Sequence, residues 1–168
     1  MQVSAPFRRI APVLALLAAS ACGEDGSGRL EGSVTELIDL RYQRTEAALA
    51  EGTLAVSFVN AQGTGQDVVL KVSARVADML PDAEYAGSLD IDLAQALADG
   101  SQRGSVDRSV LDEPVRPFPL LQRGNLFVKS LPKNPGDRVS GEFNVTFANG
   151  TDVYSGRTIF SRFEATAP

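Results

Sequence analysis

Two stretches of period-two alternation limit the fold of this chain more than any other feature of its sequence. In the first, one face carries Val68, Leu70, Val72, Ala74 and Val76, and the other carries Val69, Lys71, Ser73 and Arg75. Residues 54–58 alternate in the same way just upstream, and a polar loop with two glycines at 61–67 separates the two runs. Because this period is typical of a half-buried strand, the pattern predicts a β-hairpin.

A second hairpin is predicted near the C-terminus. One face carries Val139, Gly141, Phe143, Val145 and Phe147, and the other carries Ser140, Glu142, Asn144 and Thr146. Asn149-Gly150 favours a tight turn, because both residues adopt positive φ readily, and residues 154–165 return as a strand. Phe160 and Phe163 fall on opposite faces of an ideal strand, so we expect either a bulge near Ser161 or one exposed ring.

Shorter patterns predict the remaining elements. Further strands are expected at 30–38, 40–50, 86–93 and 125–129, the first two being either one bent strand or two. A short helix is expected at 92–99, with Asp92 as its N-cap and Gly100 at its end. An extended, non-helical passage is expected around Pro114, Pro117 and Pro119. About seven or eight short strands predict an all-β fold, a single antiparallel β-sandwich, with a small β-barrel as the alternative.

Composition limits the size and the chemistry of the protein. At 168 residues there is room for one domain, and the net charge of −5 gives no basic footprint for nucleic acid. Histidine is absent, so the commonest general base and the commonest zinc ligand are missing. The single cysteine, Cys22, can form no internal disulfide. We therefore expect no cofactor and no nucleic-acid partner.

The N-terminus has the pattern of a secretory signal. Arg8 and Arg9 precede about ten almost purely apolar residues at 10–19, a run too short to span the hydrocarbon core as a helix. A buried core helix is the alternative, but the N-terminal position and the paired arginines argue against it. The sequence therefore predicts that the protein is exported.

The sequence Ala19-Ser20-Ala21-Cys22 resembles the lipobox of bacterial lipoproteins. The resemblance implies that Cys22 is acylated and becomes the first mature residue. Residues 1–21 are then a signal peptide, 22–29 a lipidated N-terminus and flexible tether, and 30–168 the body. The alternative is an ordinary signal-peptidase cut at the same bond, which leaves a free thiol. A lone exposed thiol is a liability in an exported protein, which favours the lipid.

The resemblance also implies a location in the bacterial cell envelope. Gly23 resembles the residue found in lipoproteins sorted to the outer membrane, and the stretch "GDRVSGEFNVTFANG" resembles the closing hairpin of uncharacterised lipoproteins with a β-sandwich body. The implied partner is the lipid bilayer, bound through acyl chains on Cys22, with other envelope proteins as further partners. Fourteen basic and 21 acidic residues remain from Cys22 onward, a net charge of −7, so an anionic leaflet should repel the body.

No pattern in the body predicts a catalytic, cofactor-binding or metal-binding residue. Six carboxylates crowd one stretch and suggest calcium, although they lack the spacing of an EF-hand: Asp78, Asp82, Glu84, Asp90, Asp92 and Asp99. A Ser–Lys hydrolase would need a pair such as Ser130 and Lys129, which are adjacent and point to opposite faces of an ideal strand. The three tyrosines give little platform for sugar stacking. The sequence therefore favours a non-enzymatic structural or interaction protein, with a calcium- or glycan-binding module as the alternative and a carboxylate-based hydrolase as a weaker one.

Overall fold

The computed structural model describes residues 27–63, 65–82, 84–113 and 118–168. The predicted signal peptide, Cys22, Pro114 and Pro117 lie outside the described residues. Within the described ranges the chain forms ten strands and two short 3₁₀ helices, Ser33–Glu36 and Ala77–Met79, and no α-helix. No helix in this part of the chain is long and apolar enough to cross a membrane.

Eight of the ten strands form one sheet. The strands are β1 (Gly28–Arg29), β2 (Arg41–Tyr42), β3 (Arg44–Ala50), β4 (Thr53–Gln62), β5 (Gly65–Arg75), β6 (Leu89–Asp92), β7 (Gly104–Ser109), β8 (Leu121–Val128), β9 (Arg138–Phe147) and β10 (Thr158–Thr166). β1 pairs with β2, and the large sheet has the order β6-β8-β9-β10-β3-β4-β5-β7. All neighbours in it are antiparallel except β10 and β3, which pair in parallel at one position, Thr166 opposite Glu46. The all-β prediction is confirmed, with a mixed sheet rather than a purely antiparallel one.

One hydrophobic core receives side chains from every strand of the large sheet. Phe58 of β4 is fully buried, and its ring centroid lies 5.6 Å from that of Phe143 in β9 and 6.2 Å from that of Phe163 in β10. β4 is not a neighbour of either strand in the sheet. The sheet therefore curves until distant strands meet across the core.

The predicted hairpin at 54–76 is confirmed, but the assignment of residues to the two faces of β5 is wrong near the start of that strand. Phe58 pairs with Leu70 and Val59 with Val68, so Val69 is an extra residue in β5. This bulge changes the phase of the alternation: Val69 is 2% exposed, whereas Val68 is only half-buried.

The strands of the C-terminal hairpin are confirmed, as is the inward face of β9. Phe160 is 42% exposed and Phe163 only 5%, and β9 and β10 pair without a register shift, so the exposed-ring alternative is the correct one. The tight turn at Asn149-Gly150 is wrong, because ten residues separate β9 from β10. Tyr154 is buried in this connection against Phe118, with ring centroids 4.7 Å apart.

The predicted helix at 92–99 is wrong. The carboxylate of Asp92 accepts a hydrogen bond from the backbone N–H of Ala94 at 3.0 Å, which turns the chain at the end of β6. Leu93 then donates its N–H to the carbonyl of Gly124 (2.9 Å) and accepts the N–H of Gly104 (2.8 Å). These bonds to β8 and β7 replace those that a short helix would make, and an isolated helix of this length is marginal.

Three further expectations are corrected. The predicted strand at 30–38 is replaced by a short 3₁₀ helix at Ser33–Glu36 and turns, because Gly32 at a φ of 119° turns the chain and lies too close to the backbone of Thr158 for any side chain. Residues 30–38 and 40–50 form neither one bent strand nor one strand each, because the second segment alone contains strands, namely β2 and β3. The barrel alternative is wrong, because the edge strands β6 and β7 do not pair in the described sheet and it stays open.

Candidate interaction groove

A groove of about 870 Å³ lies against β8, β9 and β10 beside the start of the described chain. The register aligns its lining residues in cross-strand rows. Glu142 lies opposite both Phe127 and Arg162, Ser140 opposite Glu164, and Arg138 opposite Thr166. The backbone N–H of Lys129 donates to the carbonyl of Ser140 at 2.9 Å, which continues the second row. Three adjacent strands therefore present long polar side chains to one groove.

Cations outnumber carboxylates in the groove wall. Its six charged residues are Arg44, Lys129, Arg138, Arg162, Glu142 and Glu164. Arg44 pairs with Glu46 at 2.8 Å, and Arg162 pairs with Glu142 at 3.2 Å. Lys129 and Arg138 are exposed and form no salt bridge with any described residue. The wall thus carries two more positive than negative groups, or one more when Glu46, the partner of Arg44, is included.

Tyr42 of β2 and Thr45 of β3 also line the groove. The Tyr42 ring packs edge-on against Phe58 with centroids 4.9 Å apart, and burial raises the pKa of its hydroxyl, an effect that nearby Ser161 and Thr45 partly oppose. Thr45 is 4% exposed, and its hydroxyl makes no hydrogen bond of ordinary geometry within the described structure.

The described chain begins at the groove. Ser27 belongs to the groove wall and is followed at once by β1, where Gly28 pairs with Tyr42. A side chain at Gly28 would lie only 2.8 Å from the Tyr42 hydroxyl, so glycine allows the entering chain to approach this closely. The predicted lipidation residue Cys22 lies outside the described residues, five positions before Ser27.

The carboxylates considered for calcium are dispersed rather than gathered. Asp78 pairs with the buried Arg103 at 2.7 Å, Asp99 with Arg75 at 2.9 Å, and Glu84 with Lys133 at 3.3 Å. Hydrogen bonds from Arg103 lower the pKa of Asp78 to about 2. Hydrogen bonds from Ser101, and then from Arg75, lower the pKa of Asp99 well below its usual value.

The other three of these carboxylates make local hydrogen bonds. Asp82 and Asp92 each accept a backbone N–H two residues ahead, and Asp90 accepts from the side chain of Asn125. In the described ranges no three metal-ligating side chains of the His, Cys, Asp or Glu type come together. The acidic stretch predicted from sequence therefore does not form one site in this structure.

Sequence reasoning missed the groove, although the pattern contained part of it. The alternation in β9 placed Ser140 and Glu142 on the outward face, and that is where they lie. No pattern in the sequence indicates that β8 lies beside this face and adds Phe127 and Lys129, because strand order is a tertiary property. Of the Ser130–Lys129 pair considered for hydrolysis, only Lys129 lines the groove.

Comparisons with known proteins found no relative of this chain, since no protein family, curated protein or solved structure matches it.

Proposed function

We propose that this protein is a lipoprotein of the bacterial cell envelope, anchored by acyl chains on Cys22 and acting as a non-enzymatic structural or interaction component. The observation that carries the proposal is the junction between the lipobox-like sequence and the body. Cys22 stands five positions before Ser27, and β1 begins at the next residue. An acylated Cys22 would thus hold the body close to the membrane through a tether rich in glycine and acidic residues.

We further infer that the body is a β-sandwich. The strands of the large sheet form two antiparallel groups, one of β6, β8, β9 and β10 and the other of β3, β4, β5 and β7. Backbone pairing joins the two groups at one position, where Thr166 lies opposite Glu46. The contact of Phe58 with Phe143 joins the groups across the core at a centroid distance of 5.6 Å. Two four-stranded layers facing each other across one core are the arrangement of a sandwich.

An interaction role fits the character of the groove. It is open, and six of its fifteen lining residues have charged side chains. Long exposed side chains suit the recognition of a polar surface better than the positioning of a reacting atom, which needs groups locked by packing. The outer membrane is the location that the residue after Cys22 favours.

Cys22→Ser tests the anchor. Because one acyl chain already gives membrane affinity and two or three chains give stable attachment, we expect the variant to move from the membrane fraction to the soluble fraction and to lose the mass of the acyl groups. Ser27→Ala is the matched control and should stay in the membrane fraction. Unchanged fractionation of Cys22→Ser, or an N-terminal peptide that carries no lipid in the wild type, would contradict the proposal.

A further inference from the structure

We propose that the groove docks on anionic phospholipid headgroups, so that the body lies against the membrane that holds it. This docking rests on the anchor proposed at Cys22. Charge, chemistry and the place where the chain enters the body are its three sources of support.

Charge complementarity is the first support. From Cys22 onward the chain has a net charge of −7, yet the groove wall has four cations and two carboxylates. Lys129 and Arg138 are exposed and form no ion pair in the described part of the chain. An anionic leaflet therefore repels most of the body and attracts this one surface, which orients the protein as well as binding it.

The point of chain entry is the second support. Ser27 lines the groove, and five residues of extended chain reach at most about 18 Å, so an acylated Cys22 keeps the groove close to the headgroups. The Debye length is about 8–10 Å at physiological salt, so attraction acts over the last part of this distance. Tethering also raises the local concentration of headgroups to the millimolar range or above, so a weak groove affinity suffices.

The chemistry of the lining is the third support. Arginine presents two parallel N–H donors that match a phosphate, and lysine adds a point charge. Arg138 and Lys129 flank Ser140, and the half-buried Phe127 of β8 lies two residues before Lys129, which follows the end of that strand. The groove therefore offers donors for a phosphate beside an apolar contact for the glycerol region of a phospholipid.

Lysine labelling of the acylated protein in nanodiscs tests this docking, because the chain contains only three lysines: Lys71, Lys129 and Lys133. Lys129 lines the groove, while Lys71 lies in β5 and reports labelling away from it. In discs of phosphatidylcholine with about one third phosphatidylglycerol, we expect acetylation of Lys129 to slow about fivefold relative to discs of phosphatidylcholine alone. The rate at Lys71 should be the same in both.

Arg138→Glu should remove this protection, whereas Arg123→Glu is the matched control and should keep it. Arg123 is an exposed arginine on β8, six residues from Lys129, and it does not line the groove. Equal rates at Lys129 in the two kinds of disc, or equal effects of the two substitutions, would overturn the proposal.

Three other outcomes are distinguishable. Protection in both kinds of disc that disappears in Glu24→Gln/Asp25→Asn would assign the groove to the chain's own acidic tether and overturn lipid docking. If millimolar inorganic phosphate protects Lys129 equally in both kinds of disc, the groove binds a free anion. That result would also overturn lipid docking. Failure of the anchor looks different from all of these, because an unacylated chain carries no lipid on Cys22 and does not stay with the disc.

Discussion

The buried side chain of Arg103 links three segments of the body through hydrogen bonds. Arg103 is 5% exposed, and its guanidinium donates to both carboxylate oxygens of Asp78, to the side-chain oxygen of Gln95 and to the carbonyl of Arg75, each at 2.7 Å. Burying a cation is costly unless its N–H groups are paired, and here four acceptors are present. The side chain thus joins the end of β5, the following 3₁₀ helix and the chain after β6.

The Arg103–Asp78 pair makes stability depend on pH. The bonds from Arg103 hold the pKa of Asp78 at about 2, below its usual 3.8, so the unfolded chain takes up the proton first as pH falls. The stabilisation is therefore complete above about pH 4 and disappears as pH falls through about 2. We expect Asp78→Asn to lower the melting temperature at pH 6 and to match the wild type near pH 2.

Circular dichroism melts across this range would check the prediction, with Asp112→Asn as the control. Asp112 is exposed and its side chain makes no hydrogen bond within the described residues, so its substitution should change stability little at either pH. A deficit in Asp78→Asn that is equally large at pH 2 and pH 6 would show that the charge of Asp78 is not what stabilises the fold.

At the scale of the element, the bulge in β5 is held by its neighbours. The carbonyl of Val69 accepts a hydrogen bond from Arg108 at 2.7 Å, and Arg108 is fixed by two bonds to Glu113 at 2.6 and 2.7 Å. Asp67, nearly buried, accepts the N–H of Leu111 at 3.0 Å. The carbonyl of Val69, the extra residue, thus finds its partner in Arg108 of β7, and Asp67 binds the chain that follows β7.

Substitutions on either side of the bulge separate the structure from the simple alternation. Val69 is 2% exposed, so Val69→Ala should lower the free energy of unfolding by about 2 kcal/mol. Val68 is half-buried, and Val68→Ala should cost less than about 1 kcal/mol. Urea unfolding followed by circular dichroism would measure both, and a larger loss for Val68→Ala would restore the face assignment that the alternation predicts.

The elements that sequence predicted well are those whose bonds are local. β4 with β5 and β9 with β10 are hairpins, so alternation and a nearby connection were enough to identify them. The helix expected at 92–99 failed because Leu93 bonds to Gly104 and Gly124, one of which lies 31 residues away in sequence. The groove was missed for the same reason, since it depends on which strands become neighbours rather than on any one of them.

At the scale of the whole molecule, the two ends of the open sheet are held together by Leu93. Its N–H donates to Gly124 of β8 and its carbonyl accepts from Gly104 of β7, so the segment after β6 connects the edge strand β7 with β8, the strand next to the opposite edge. This connection needs a close approach. A Cβ added at Gly104 would lie 2.6 Å from the Leu93 Cβ and 3.0 Å from its Cα, and one at Gly124 would lie 3.2 Å from the same Cβ.

We expect Gly104→Ala to lower the free energy of unfolding by about 1–3 kcal/mol, because the two hydrogen bonds of Leu93 fix the backbone that would have to move. Gly65→Ala is the matched control, since Gly65 also begins a strand and its nearest contact for an added Cβ is at 3.7 Å. That control should lie within about 0.5 kcal/mol of the wild type. Urea unfolding curves for the pair would measure the difference. Equal free energies of unfolding for the two variants would mean that the close approach of Gly104 to Leu93 does not contribute to the stability of the fold.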